Sequence, residues 1–146
     1  MNKMKILLVD DDEDDREFFA DALVGVDLNT QLQQLDNGKS CLDYLRQQME
    51  NLPNLIFLDL NMPIMNGFEC LTEIRKNPLL KDLPIAIYST SSSDKDIERT
   101  FLNGANIYIK KPSSFEDLKK SLAQVIKMNW AYHMDDFKKE NFLLRI

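Results

Sequence analysis

At 146 residues the chain has the size of one ordinary domain, with room for a real core and too little length for two. A formal charge of -6 and a pI near 4.8 argue against a nucleic-acid surface, since phosphate backbones need clustered Lys and Arg and the lysines here gather only in the short pairs Lys110-Lys111, Lys119-Lys120 and Lys138-Lys139. No apolar run approaches bilayer length, and Met1 to Lys5 lacks the long apolar stretch and cleavage site of a secretory signal, so a soluble, cytoplasmic protein with no membrane partner is expected.

Strand and helix patterns alternate along the chain. Lys5 to Val9, with its uninterrupted apolar run Ile6 to Val9, reads as a strand buried on both faces, the habit of parallel sheets. Six consecutive acids, Asp10 to Asp15, follow it and open a helix with Phe18, Phe19, Ala22 and Leu23 on one face. Asp12, Asp14 and Asp15 suit a helix N-terminus, where carboxylates meet free N–H groups and the positive end of the dipole. Asp10 and Asp11 sit on the strand end itself and need another explanation. The second strand, Thr30 to Leu35, has only Leu32 and Leu35 as apolar residues and rests on the turn signal Asp36-Asn37-Gly38. Cys41, Leu42, Leu45 and Met49 form the stripe of the next helix. Cys41 and Cys70 lack CxxC spacing and read as reduced core residues.

Leu55 to Leu58 is a third strand, ending in Asp59 and a loop with Pro63 and Asn66-Gly67; the helix beyond turns Phe68, Leu71 and Ile74 inward. Pro84 opens a fourth strand, Ile85 to Tyr88, that ends in Ser89. Ser93 is placed to cap the next helix, and Gly104 to take the left-handed residue past its end. The fifth strand, Ile107 to Ile109, ends in Lys110-Lys111-Pro112. Ser113 and Glu116 have capping-box spacing ahead of a last helix lined by Leu118, Leu122, Val125 and Ile126. Right-handed crossovers of this length give an α/β, doubly wound, five-stranded parallel sheet with helices on both faces.

In such a sheet the carboxyl ends of the strands share one edge, where ligands bind. Folding should bring Asp10, Asp11, Asp59, Ser89 and Lys111 to that edge. Carboxylates ~5 Å apart repel by roughly 3 kcal/mol per pair at an effective dielectric of ~20. A hard divalent cation such as Mg²⁺ relieves this; protonation of one acid is the alternative. A cation beside a carboxylate, a lysine and a hydroxyl is a phosphoryl-handling set. Asp59, free of neighbouring acids in sequence, is the natural acceptor, with Asp10 and Asp11 on the metal and Lys111 on the phosphoryl oxygens. Lys110 should point away.

Leu7-Leu8-Val9-Asp10-Asp11, Leu58-Asp59-Leu60-Asn61-Met62-Pro63 with Asn66-Gly67, Ser89-Thr90, Gly104 to Tyr108 and Lys111-Pro112 resemble the receiver domain of bacterial two-component response regulators, over about Lys5 to Lys127. The resemblance implies a flavodoxin-like fold of strand order 2-1-3-4-5 and a stand-alone, chemotaxis-type receiver. In it Asp59 takes a phosphoryl group from a sensor histidine kinase or phosphotransfer protein and switches binding to a downstream target protein. It implies Mg²⁺, for which Mn²⁺ can substitute, bound directly by Asp11 and Asp59, through water by Asp10, and by the backbone carbonyl of Asn61. Ser89 would be the switch hydroxyl, Lys111 the ion-pair lysine before a cis Pro112, and Tyr108 the switch aromatic of strand five, acting through the face of helix 4, strand 5 and helix 5. Tyr108 as a strand residue that merely packs remains the alternative. Such a module is no enzyme beyond slow self-catalysed phosphorylation and dephosphorylation.

Thr90 stands where the family generally has Ala or Gly and narrows access to the acceptor; Asn61 and Ser91 flank the site. A phosphohydrolase of the haloacid dehalogenase type would need an acid at Asn61, where an amide cannot serve as general acid or base. A purely structural flavodoxin-like binder is the third reading. The receiver is taken as residues 1–128. Residues 129–146 form an aromatic tail, with Trp130, Met134, Phe137, Phe142, Leu143 and Leu144 suited to docking on the domain, on a partner or in a homodimer. His133 is given no role.

Overall fold

The computed structural model describes residues 3–128 and 139–144. The elements run β1 (Met4–Val9), α1 (Glu13–Val24), β2 (Thr30–Leu35), α2 (Gly38–Gln47), β3 (Leu55–Leu58), α3 (Gly67–Lys76), β4 (Ile85–Ser89), α4 (Asp94–Leu102), β5 (Ile107–Lys110), α5 (Phe115–Ile126) and a short α6 (Lys139–Phe142). The five strands form one parallel sheet in the order β2-β1-β3-β4-β5, the flavodoxin-like order expected from the sequence.

Strand alternation divides the core into two layers. Leu7, Val9, Ile56, Leu58, Ile85, Ile87 and Tyr108 face α2, α3 and α4. Ile6, Leu8, Phe57, Ala86, Tyr88 and Ile109 face α1 and α5. On the second side Phe19 meets Phe57 and Tyr88 edge-on, with ring centroids 5.0 and 5.5 Å apart. β1, β3 and β4 are covered on both faces, which is why their sequences are almost wholly apolar. Edge strand β2 is half-exposed, which accounts for its glutamines. Cys41 and Cys70 are buried free thiols that touch between α2 and α3; their contact, with burial, pushes the Cys41 thiol well up.

Side chains cap the five long helices. Asp12, Asn37, Asn66, Ser93 and Ser114 each accept from the backbone N–H three residues on. Ser93 has the role the sequence assigns it, and Gly104 takes φ 94° after α4. The cap of α5 differs from expectation: it is Ser114, accepting from Asp117 N, not Ser113 with Glu116. Arg75 of α3 ties this end of the molecule together. Its guanidinium donates to the carbonyls of Lys81, Leu83 and Gly104 and to Asn106 Oδ1 at 2.7–2.9 Å, and burial pulls its pKa down to about 10.

Part of the tail lies against β5. Phe142 is 2% exposed and packs edge-on to Phe101 and Tyr108, at 5.3 and 6.1 Å. Leu143 lies opposite Tyr108 in a parallel bridge, and Leu144 N–H donates to the Tyr108 carbonyl at 2.9 Å. Trp130, His133, Met134 and Phe137 lie outside the described residues. No helix among the described residues is long and apolar enough to cross a membrane.

Candidate functional site

The parallel register sets the site. Val9 pairs with Leu58, so Asp10 and Asp59 leave adjacent strands at the same level, and Asp59 N–H donates to the Val9 carbonyl at 2.9 Å. Ser89 pairs with Lys110 at the ends of β4 and β5, and Lys111 N–H donates to the Ser89 carbonyl at 2.8 Å. Lys110 is exposed and Lys111 turns inward, as strand alternation requires. Gly67 lets α3 start directly on Asp59: a Cβ there would run into the Asp59 carbonyl oxygen, and Gly67 N–H donates to Leu60 O. Asn66 and Glu69 complete a reciprocal capping box at this point.

Ligand oxygens of Asp10, Asp11 and Asp59 lie within 4.8 Å of one another. Asp10 is fully buried, Asp59 nearly so, and Asp11 exposed. Lys111 Nζ stands 2.7 Å from Asp10 Oδ2, 2.8 Å from Asp15 Oδ2 and 3.2 Å from Asp59 Oδ2. Asp59 Oδ1 accepts from Leu60 N–H at 2.8 Å, and Asp10 Oδ1 from Asp12 N–H at 3.0 Å. Asp10 Oδ2 meets the Lys111 amine as an ion pair and has no hydrogen-bond partner beyond it. Such an oxygen beside two further carboxylates fits a hard cation with carboxylate and carbonyl ligands.

Electrostatics follow from this crowding. Burial first, then the neighbouring Asp10 charge, pushes the Asp59 carboxyl up to about 6, against the opposing pull of Lys111 and the Leu60 N–H. Burial alone would draw the Lys111 amine down; the close contacts with Asp10 and Asp15 and the charge of Asp59 overcome it and hold the amine above its ordinary value. The amine also sits 5.3 Å from the centre of the Tyr88 ring.

Ser89 is buried, and its Oγ accepts from Ser91 N–H at 3.1 Å. The Tyr108 ring is buried on the α4 side, with its hydroxyl donating to the Ser91 carbonyl at 2.9 Å. Thr90 and Asn61 are exposed at the rim. The Lys111–Pro112 bond is trans, contrary to the cis bond expected. The Ser89 carbonyl and the carboxylates fix Lys111 with the chain in its ordinary form.

Two contributors escape the sequence reading. Asp15, assigned there to the helix terminus, reaches Lys111, while Asp12 alone caps by accepting from Asp15 N–H. Arg16 Nη1 donates to the Asp10 carbonyl at 2.8 Å. A signal for Asp15 existed: with Phe18, Phe19 and Ala22 it falls at i, i+3, i+4 and i+7, the head of the inward stripe of α1.

Residues 6–123 match the family model of the response regulator receiver domain. The chain belongs to the response regulator receiver family. The probable methanogenesis regulatory protein FilR2 of Methanothrix harundinacea is 36% identical to this receiver over 128 residues, covering 86% of it and 82% of FilR2. Response regulator Rcp1 of Synechocystis is 35% identical, covering 86% of the receiver and 87% of Rcp1. The Mn²⁺-bound Rcp1 structure superposes with TM-score 0.74 at 33% identity, over 84% of this chain and 91% of that one. The phosphorylated cyanobacterial phytochrome response regulator RcpA gives 0.77 at 32%, over 85% and 91%. The receiver is therefore a two-component signalling module, in a family phosphorylated on an aspartate. Receiver domains bind a divalent metal at an acidic cluster and work with histidine kinases or phosphotransfer proteins and with downstream targets.

Proposed function

We propose that Asp59 accepts a phosphoryl group from the phosphohistidine of a sensor histidine kinase or phosphotransfer protein. The observation that carries this is the contact of the Lys111 amine with Asp59 Oδ2 at 3.2 Å inside the acidic cluster. A carboxylate oxygen of Asp59 bonds to phosphorus as the donor's P–N bond breaks, and the bonding pair returns to the imidazole. Asp11, Asp59 and the Asn61 carbonyl would hold Mg²⁺, with Asp10 acting through water; when bound, the cation neutralises charge on the transferring group. Mn²⁺ can take the same oxygens. Lys111 donates to the phosphoryl oxygens, and Ser89 is the hydroxyl that turns toward them. Thr90 narrows access to Asp59, while Asn61 and Ser91 flank the site and set how quickly water attacks; self-catalysed uptake and loss are slow.

The new charge is read through Ser89 and Ser91. Tyr108 is bonded to the Ser91 carbonyl, so movement of the β4–α4 loop bears on its ring and on the face of α4, β5 and α5. A downstream protein would bind that face. Residues 129–146 would act there as an extension of a receiver ending near residue 128, on the same chain or in a homodimer. The test is incubation with acetyl phosphate and Mg²⁺, read by intact mass. The unaltered protein should gain one phosphoryl group and Asp59→Asn none; equal labelling of both removes Asp59 as acceptor.

A further inference from the structure

Lys111 carries three N–H donors and faces three carboxylates. Two of the contacts, to Asp15 and Asp59, have hydrogen-bond geometry, and the bond to Asp15 is the shorter, at 2.8 against 3.2 Å. The amine thus leans toward α1 and away from the acceptor. The three partners differ in what release would cost. Asp10 is fully buried and Asp59 is 9% exposed in its side chain, so either would be left desolvated; Asp15 is 37% exposed and water can replace the lysine at once.

The geometry points to Asp15 as a positioning residue that tethers Lys111 to α1 before phosphorylation and competes with the phosphoryl group for its amine. The inference rests on Asp59 being the acceptor. A phosphoryl group on Asp59 brings new acceptor oxygens, and a donor must be freed to meet them. The Asp15 bond is the one that yields with least penalty. Asp15 then sets how readily the amine crosses to the acceptor, and an amide in its place weakens its hold on the starting state.

Asp15→Asn should therefore take up phosphoryl from acetyl phosphate about fivefold faster than the unaltered chain, the factor matching an ion pair of ~1 kcal/mol. It should bind beryllofluoride tighter by a similar factor. Asp14→Asn removes the same charge from the same exposed helix turn without touching Lys111, and should leave both quantities near their starting values. Asp15→Glu, which keeps a carboxylate within reach, should fall between the two. Lysine ammonium resonances of the metal-free protein give a readout that needs no phosphorylation: the Lys111 signal should move in Asp15→Asn and stay in Asp14→Asn. Equal acceleration by both asparagine variants would reduce the effect to net charge and overturn the tether, as would a Lys111 signal indifferent to Asp15. If the unaltered protein takes up no phosphoryl group while the ammonium signal still responds to Asp15, the acceptor reading fails and the tether stands.

Discussion

Replacing Asp59 by Asn removes a buried charge but keeps the side chain's shape and an acceptor for the Leu60 N–H, so the metal-free protein should gain stability near neutral pH. The carboxyl is displaced from 3.8 to about 6, with burial the first cause. A shift of that size corresponds to ~3 kcal/mol between charged and neutral forms in the fold. The opposing pull of Lys111 is already contained in that shift, and Asp10 and Asp15 keep the amine in the variant; discounted for the solvent that reaches the site, ~1–2 kcal/mol is the expected net gain, or about 3–6 °C in Tm. The sign follows from linkage. Because the folded pKa lies above the unfolded one, the charge weakens the fold fully above about pH 6, and the penalty fades as pH falls toward the unfolded value. Thermal melts in EDTA at pH 7.5 and pH 4.5 measure both features: the variant should melt higher at pH 7.5, and the gap should shrink at pH 4.5. Saturating Mg²⁺ should also close the gap at pH 7.5, since a ligand of the native state stabilises the unaltered site more. A variant that melts at or below the unaltered protein in EDTA would show that Asp59 is not under electrostatic stress.

Gly67→Ala should cost at least ~3 kcal/mol in urea unfolding, because its Cβ would have to displace the Asp59 backbone itself. Ile64→Gly should stabilise by about 1 kcal/mol: Ile64 is a β-branched residue at φ 69° and 78% exposed, so strain is relieved and almost no packing is lost. A drop in midpoint would contradict this. Thr90→Ala should open the rim beside Ser89 and speed phosphoryl uptake or loss by roughly threefold, equivalent to ~0.7 kcal/mol of barrier, and identical time courses by intact mass would remove the steric reading.

What could be read from the chain depended on how many residue types fit a position. The doubly covered strands tolerate little besides β-branched and apolar residues, so β1, β3 and β4 stand out within a few residues of their ends. β2 is an edge strand with glutamines on its open side, and the turn after it gave more than its own pattern. The α5 cap was ambiguous for a plain reason. Ser113 and Ser114 have the same chemistry, each with an acid three residues on (Glu116 and Asp117), and only the backbone path out of β5 favours the second. Asp10, Asp59, Ser89 and Lys111 were legible because a parallel sheet delivers strand ends to one edge whatever the loops do. Asp15 was hidden by a sufficient simpler explanation: an acid in the first turn of a helix is favourable without a partner. The bridge from Leu143 to Tyr108 joins residues distant in sequence, and a single tail residue beside a strand has no periodicity to betray it.

One amine faces the carboxylates of Asp10, Asp15 and Asp59, with Asp11 beside them, so the site carries excess negative charge. The ligand oxygens of Asp10, Asp11 and Asp59 lie within 4.8 Å of one another, so at an effective dielectric of ~20 each pair repels by at least roughly 3.5 kcal/mol and the three oppose the fold by at least roughly 10 kcal/mol. Lysine contacts of 2.7 and 3.2 Å to Asp10 and Asp59 return roughly 6 and 5 kcal/mol on the same scale, while Asp15, 2.8 Å from the same amine, adds a fourth negative charge. Such a site has nothing in reserve for further negative charge. A phosphoryl group brings nearly two charges more, which one amine cannot neutralise. On the proposed reading, retaining the group would take a divalent cation on the acids and a redirected lysine. Either change alters what Ser89 and the loop after it must face. Tyr108 is bonded to that loop and packed on Phe142, so on the proposed reading a shift of the loop would be felt at the ring and at Phe142.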